Sequence, residues 1–173
     1  MHLELSKEQE KKLKDFSHEV IERNKQHNLT GHKDAKTFYN LQVADCMSAY
    51  SACKKTVAEN IVDCGSGAGL PSVVWAILSP EKKFYSIDKN EKKTQFQKQL
   101  LTKLNINNVE THLSKIEEFN LDKQHTVVIK AFSSVAKTIE QLKNKQHQKN
   151  LIFLKKDDKK TEEELLEVPS LLY

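Results

Sequence analysis

Three glycines at alternate positions, Gly65, Gly67 and Gly69, directly follow the short β-branched run from residue 60 to 64. Gly65 permits a sharp turn off a strand, Gly67 lets the atoms of a ligand approach the backbone, and Gly69 begins a helix whose N-terminal amides face a pocket. The chemistry this favours is the cradling of a nucleotide-like ligand. Asp63 stands two residues before the first glycine, where it reaches the polar end of such a ligand directly or through water, or simply caps the turn. Asp88 lies 19 residues beyond Gly69. A doubly wound nucleotide site places a carboxylate there to accept hydrogen bonds from ribose hydroxyls.

Two cofactor classes compete for this loop. A dinucleotide fingerprint, Gly-x-Gly-x-x-Gly, needs its third glycine at position 70, which is Leu70. The spacing Gly-x-Gly-x-Gly with an acid before it suits S-adenosylmethionine, whose amino-acid end Asp63 would meet. A nicotinamide or flavin oxidoreductase is the enzyme alternative, and Asp88 alone does not separate the two.

The elements that must position these residues follow from apolar spacing. Ser6 and Gln9 form a capping box before Leu13, Phe16 and Val20, which predicts a helix over about 6–27. Phe38, Leu41, Ala44 and Met47 predict a second over about 35–52. Strands are then expected at 60–64, 83–88, 108–112, 126–130 and 151–155, with helices near 70–78, 91–104 and 134–145 between them. Strands separated by helices imply right-handed crossovers and a parallel sheet covered on both faces. The predicted architecture is a doubly wound, mainly parallel α/β sheet of about five strands with an N-terminal helical extension. At 173 residues it is expected to form a single domain over 1–173, with helices in 1–55 and the α/β core in 56–173.

Composition bounds the function classes. Apolar residues are 38% and charged residues 30% of the chain, which excludes fibrous and membrane-spanning classes. Cys46, Cys53 and Cys64 form no Cys-x-x-Cys pair and no secretory signal precedes them, so a reduced, cytoplasmic protein is expected. The seven histidines fall in no metal-ligand spacing, and no metal site is predicted. Between Lys123 and Lys156 eight lysines face one acid, Glu140. A stretch of that kind attracts a polyanion or forms a solvated face. With Arg23 as the only arginine, nucleic-acid contacts would go mostly to phosphates.

With these residues in place, the chain resembles the bacterial 16S ribosomal RNA guanine-N7 methyltransferases known as RsmG, formerly glucose-inhibited division protein B. Asp-Cys-Gly-Ser-Gly-Ala-Gly-Leu-Pro, residues 63–71, is similar to that family's Asp-x-Gly-[Ser/Thr]-Gly-x-Gly-Leu-Pro. Asn28-Leu29-Thr30, Asp45, Asp88 followed by Lys92-Lys93 and Phe96, and Ile116-Glu117-Glu118 match in order. The resemblance implies a class I, Rossmann-like fold that binds S-adenosylmethionine and acts on 16S ribosomal RNA or the small ribosomal subunit; a monomer is the default expectation, and no membrane partner is expected. It implies a donor site formed by Asp63, Gly65, Ser66, Gly67, Gly69, Leu70 and Asp88, with Ile116 and Glu117 bordering the adenine. Lys130 stands where the family carries an arginine near both donor and RNA, which makes it the candidate catalytic residue and a further donor contact. Lys92, Lys93, Lys155 and Lys156, near strand ends, are the candidate RNA-backbone contacts.

The departures from the family pattern are Lys130, Ser72 in place of a glycine after Leu-Pro, Gln42 in place of a histidine, and a shortened C-terminal sheet edge. They leave open a third reading, a non-catalytic adenosyl- or RNA-binding relative. Guanine N7 carries a lone pair and no proton, so the implied reaction needs alignment rather than a general base. Lys130 is therefore expected to meet a phosphate or the donor's carboxylate rather than the guanine ring.

Overall fold

The structure, a computed structural model, describes residues 4–130, 134–142 and 147–155 and positions 159, 161 and 163. Ser6 and Gln9 exchange hydrogen bonds, from Gln9 N to Ser6 Oγ at 3.1 Å and from Ser6 N to Gln9 Oε1 at 3.0 Å. Two of the amides that a helix start leaves unpaired are satisfied in this way. Helix α1 (Lys7–His27) follows, burying Leu13, Phe16, Val20 and Ile21, and Asn28 ends it in the left-handed region. The predicted second helix is α2 (Ala35–Phe38), a π turn over Tyr39–Val43 and α3 (Ala44–Cys53).

The five expected strands all form. They are β1 (Asn60–Cys64), β2 (Lys83–Asp88), β3 (Val109–Leu113), β4 (His125–Lys130) and β5 (Gln148–Leu154). Every pairing is parallel and the order is β3-β2-β1-β4-β5. From β1 the chain winds outward through β2 and β3, then returns to the other side of β1. The switch point between β1 and β4 is where a doubly wound sheet opens a crevice beyond its carboxyl ends. Helices α4 (Ser72–Leu78), α5 (Glu91–Lys103) and α6 (Val135–Leu142) form three of the four crossovers, and among the described residues the β3–β4 connection carries no helix.

Alternation along the strands divides the core in two. Ile61, Phe84 and Val128 face α1, α2, α4 and α5 through Phe16, Phe38, Trp75 and Leu100. Val62, Tyr85, Val127 and Ile129 face Ile116 and Leu142 on the other side. The N-terminal helices are structural partners of the site rather than an appendage. Gln9 Nε2 donates to Ile77 O at 3.0 Å near the end of α4, and the Trp75 indole donates to Cys46 O at 2.8 Å in α3.

Some boundaries differ from the expectation. Strand β5 starts at Gln148 rather than at 151, because Gln148, Lys149 and Asn150 lie on a half-exposed sheet edge where no apolar alternation is required. The helix expected over 134–145 is described as Val135–Leu142, and 143–146 lie outside the described residues. Among the described residues no helix is long and apolar enough to cross a membrane.

Candidate functional site

The loop from Gly65 to Pro71 leaves β1 at the switch point. All three glycines take positive φ, 76° at Gly65, 59° at Gly67 and 99° at Gly69, a region that side chains rarely tolerate. Their reasons differ. A Cβ on Gly67 would meet nothing closer than Gly65 O at 3.9 Å, whereas one on Gly69 would lie 2.5 Å from Val73 Cγ2. Gly67 therefore has open space beside it, and Gly69 is where the loop presses on its own helix. Helix α4 begins at Ser72, not at Gly69 as expected. Its first amide is already committed, since Ser72 N donates to Asp63 Oδ2 at 2.9 Å. Leu70 is half-buried against the core cluster that includes Phe16 and Val73.

Asp63 is fully buried. One carboxylate oxygen caps Ser72, and the other, Oδ1, has no hydrogen-bond partner in the structure. Burial pushes this carboxyl up to about 7, reinforced by nearby Asp88 and opposed by the Ser72 hydrogen bonds and by Lys130. Asp63 thus caps the turn with one oxygen, while its second oxygen is buried without a partner.

Asp88 closes β2 and holds the loop open. Its Oδ2 accepts from Gly67 N and its Oδ1 from Asn90 N, both at 2.9 Å. Asn90 in turn caps α5 through Lys93 N. Each carboxylate oxygen accepts more than one hydrogen bond, so ribose hydroxyls can join these amides.

A cleft of about 280 Å³ opens beside Asp88. It brings together four residues expected at the donor, Gly65, Asp88, Ile116 and Glu117. Ile116 is buried and Glu117 exposed, giving an apolar wall with a polar lip. Lys89, Ser114, Lys115 and Gln141 also line it and were not anticipated. The signal for Ser114 and Lys115 was available, since they leave the carboxyl end of β3 beside the same crevice. A second cavity, about 320 Å³, reaches His125 and His147 at the amino ends of β4 and β5. It runs along the sheet face toward the carboxyl ends, where Ile87 and Ile116 line both it and the cleft beside Asp88.

Lys130 ends β4 and is only 14% exposed. Its Nζ lies 3.0 Å from Asp45 Oδ2 on α3. The expected strand-end cation is therefore already paired, by a residue that the sequence pattern marked without a role. Lys92 and Lys93 sit in the first turn of α5, exposed and half-exposed, next to Lys89 on the cleft rim. Lys155 follows β5 and is half-buried, while Lys156 lies outside the described residues. Strands β2 and β5 are three places apart in the sheet, roughly 14 Å, so Lys92 and Lys93 follow a strand on one side of the switch point and Lys155 follows a strand on the other.

The residues present fit an adenosyl donor. Asp63 Oδ1 is a buried acceptor suited to an ammonium group, Gly67 leaves room for close approach, and Asp88 stands on the cleft wall. A five-stranded parallel sheet of this order, with a glycine loop after β1 and an acid ending β2, is the architecture of doubly wound nucleotide sites, and among them the chain has the class I S-adenosylmethionine-dependent methyltransferase fold. A SAM-dependent O-methyltransferase from Thermotoga maritima shares it at a TM-score of 0.56 and 16% identity, covering 85% of this chain and 53% of that one.

Residues 9–170 match the family described as GidB, rRNA small subunit methyltransferase G, and the chain belongs to that family. The ribosomal RNA small subunit methyltransferase G of Brachyspira hyodysenteriae is 34% identical over 168 residues, 95% of this chain and 80% of that protein. A Psychrobacter protein of the same name is 34% identical over 143 residues, 81% of this chain and 62% of its own length.

Proposed function

We propose that this protein transfers a methyl group from S-adenosylmethionine to N7 of a guanine in 16S ribosomal RNA, in the cytoplasm, as a single-domain monomer. The observation that carries the reading is the pairing of an open Gly67 with two acids, Asp63 and Asp88, at the switch point of a family member's sheet. The donor supplies an electrophilic methyl on a sulfonium. The chain's own residues bind and align. Asp63 Oδ1 takes the donor's ammonium, Asp88 the ribose hydroxyls, and Ile116 with Glu117 the adenine.

Since guanine N7 has a free lone pair, no side chain has to remove a proton, and in-line orientation contributes roughly 7–11 kcal/mol in well-positioned reactions. The acceptor ring becomes cationic, so an uncompensated lysine nearby would oppose transfer. Asp45 offsets the charge of Lys130, which leaves that side chain available to orient a phosphate or the donor's carboxylate. Asp45→Asn is therefore expected to lower kcat about tenfold at saturating donor and RNA, the effect of roughly 1.4 kcal/mol on the barrier. Single-turnover methyl transfer measures it; a parental rate would separate the pair from the reaction.

Incubating the protein with labelled S-adenosylmethionine and either 30S subunits or unmodified 16S RNA, then mapping the label, tests the whole reading. One guanine methylated at N7 is expected, with RNA affinity falling steeply with salt as Lys92, Lys93, Lys155 and Lys156 release phosphate counterions. Donor binding without any transfer would instead favour the non-catalytic relative, and binding of NAD in place of the donor would favour the oxidoreductase.

A further inference from the structure

Behind the glycine loop runs a line of buried polar side chains. Gln97, in the middle of α5, is fully buried beside Phe96, Leu100 and Leu101. Burying a primary amide there is costly unless its donors and its acceptor are met. They are. Its Nε2 donates to Ser66 Oγ at 2.9 Å and to Gly67 O at 2.8 Å, and its Oε1 accepts from Ser86 Oγ. The line continues from Ser72 Oγ to Ser86 Oγ at 3.3 Å, and from Ser72 N to Asp63 Oδ2 at 2.9 Å.

Gly67 is thereby held on both sides. Asp88 takes its N–H and Gln97 donates to its carbonyl. A glycine at φ 59° has no side chain with which to anchor itself, and its freedom would otherwise be lost on binding. Packing alone would be served at position 97 by an apolar residue like its neighbours. The amide is needed by the loop, and Ser72, which stands where the family pattern has a glycine, provides the link toward Asp63.

We propose that Gln97 is a positioning residue for the methyl donor. It fixes the peptide after Gly67 and the hydroxyl of Ser66 in the shape that receives the donor, so that binding does not have to order the loop. This inference rests on the donor reading above.

Calorimetry with S-adenosylhomocysteine tests it on the full chain. Loss of the two hydrogen bonds to the loop in Gln97→Leu is expected to weaken binding roughly tenfold, to raise the donor KM by a similar factor, and to leave kcat at saturating donor and the KM for RNA within about twofold. The triple variant Ser72→Ala/Ser86→Ala/Gln97→Leu removes the hydroxyls left without partners and should recover thermal stability without recovering affinity. A purely structural role predicts that affinity returns with stability, and that result would overturn the proposal. Should the leucine variant fail to fold, Gln97→Met keeps the length of the side chain but has no donor for Ser66 or Gly67. Affinity within twofold of the parent in the folded variant would also refute the role. A parent protein that binds no S-adenosylhomocysteine would refute the donor reading instead.

Discussion

Gly69→Ala is expected to lower the melting temperature by roughly 10 °C, whereas Gly67→Ala, two residues away, should change it by only a few degrees and abolish tight donor binding. At Gly69 a methyl group meets two penalties at once. It forces φ 99° on a residue with a side chain and drives a Cβ to 2.5 Å from Val73 Cγ2. Strain of the first kind costs about 1–3 kcal/mol and overpacking of the second another 1–3 kcal/mol. Val73 is itself fully buried against Phe16 and Trp75, so it has nowhere to move.

At Gly67 the backbone penalty is near 1–2 kcal/mol, since φ 59° lies in the left-handed well and the nearest atom is 3.9 Å away. The methyl would instead occupy the space through which the donor approaches. Thermal unfolding and S-adenosylhomocysteine titration of both variants check the contrast. A Gly67→Ala protein that binds with parental affinity would show that the ligand does not come near this backbone.

The second large effect is on pH. Asp63 carries a carboxyl whose affinity for protons is raised by burial to about 7, from 3.8. In the unfolded chain this group loses its proton near its ordinary value, and in the folded chain it keeps it to neutrality. Between those two values the folded state binds more protons, so the contribution of Asp63 to stability falls as pH rises from about 3.8 through about 7 and is level above. The donor's ammonium prefers the carboxylate. Affinity for S-adenosylhomocysteine is therefore expected to rise up to tenfold per pH unit below about 7, to flatten above it, and to release a proton on binding.

Asp88, which raises the value, and Lys130, which lowers it, are the charged neighbours that shape the step. Asp63→Asn retains an oxygen to accept from Ser72 N, so the turn keeps its cap. It should weaken binding at pH 8 by roughly 10- to 100-fold, the range for a lost charged hydrogen bond, and erase the pH step. Calorimetry across pH 5.5–8.5 in buffers of different ionisation enthalpy (about three units, spanning the transition) reads both the affinity and the proton. A flat profile in the parent protein would remove Asp63 from the donor site.

These two experiments also divide what was legible in the residues from what was not. The strands at Asn60–Cys64 and Lys83–Asp88 and the capping box at Ser6 could be read directly, because turn glycines, β-branched runs and caps are local signals. The glycine loop and Asp88 were legible for the same reason, as were Ile116 and Glu117 through the resemblance. The π turn at Tyr39–Val43 carries no local signature, and it shifts the register just before Asp45. The start of β5 was misplaced because an edge strand need not alternate.

The sequence by itself determined the class of sheet, the position of the loop and the two acids, since each depends on residue types within a few positions of one another. Only the tertiary structure decided what those residues do. Asp45 meets Lys130 across 85 positions of chain, and Gln97 reaches Ser66 and Gly67 from a different helix. The burial that raises the proton affinity of Asp63 likewise comes from β2 and β4 on either side of its strand and from the start of α4. Charge pairing, burial and hydrogen-bond geometry depend on distance in space, and distance in space is not a property of any short stretch of sequence.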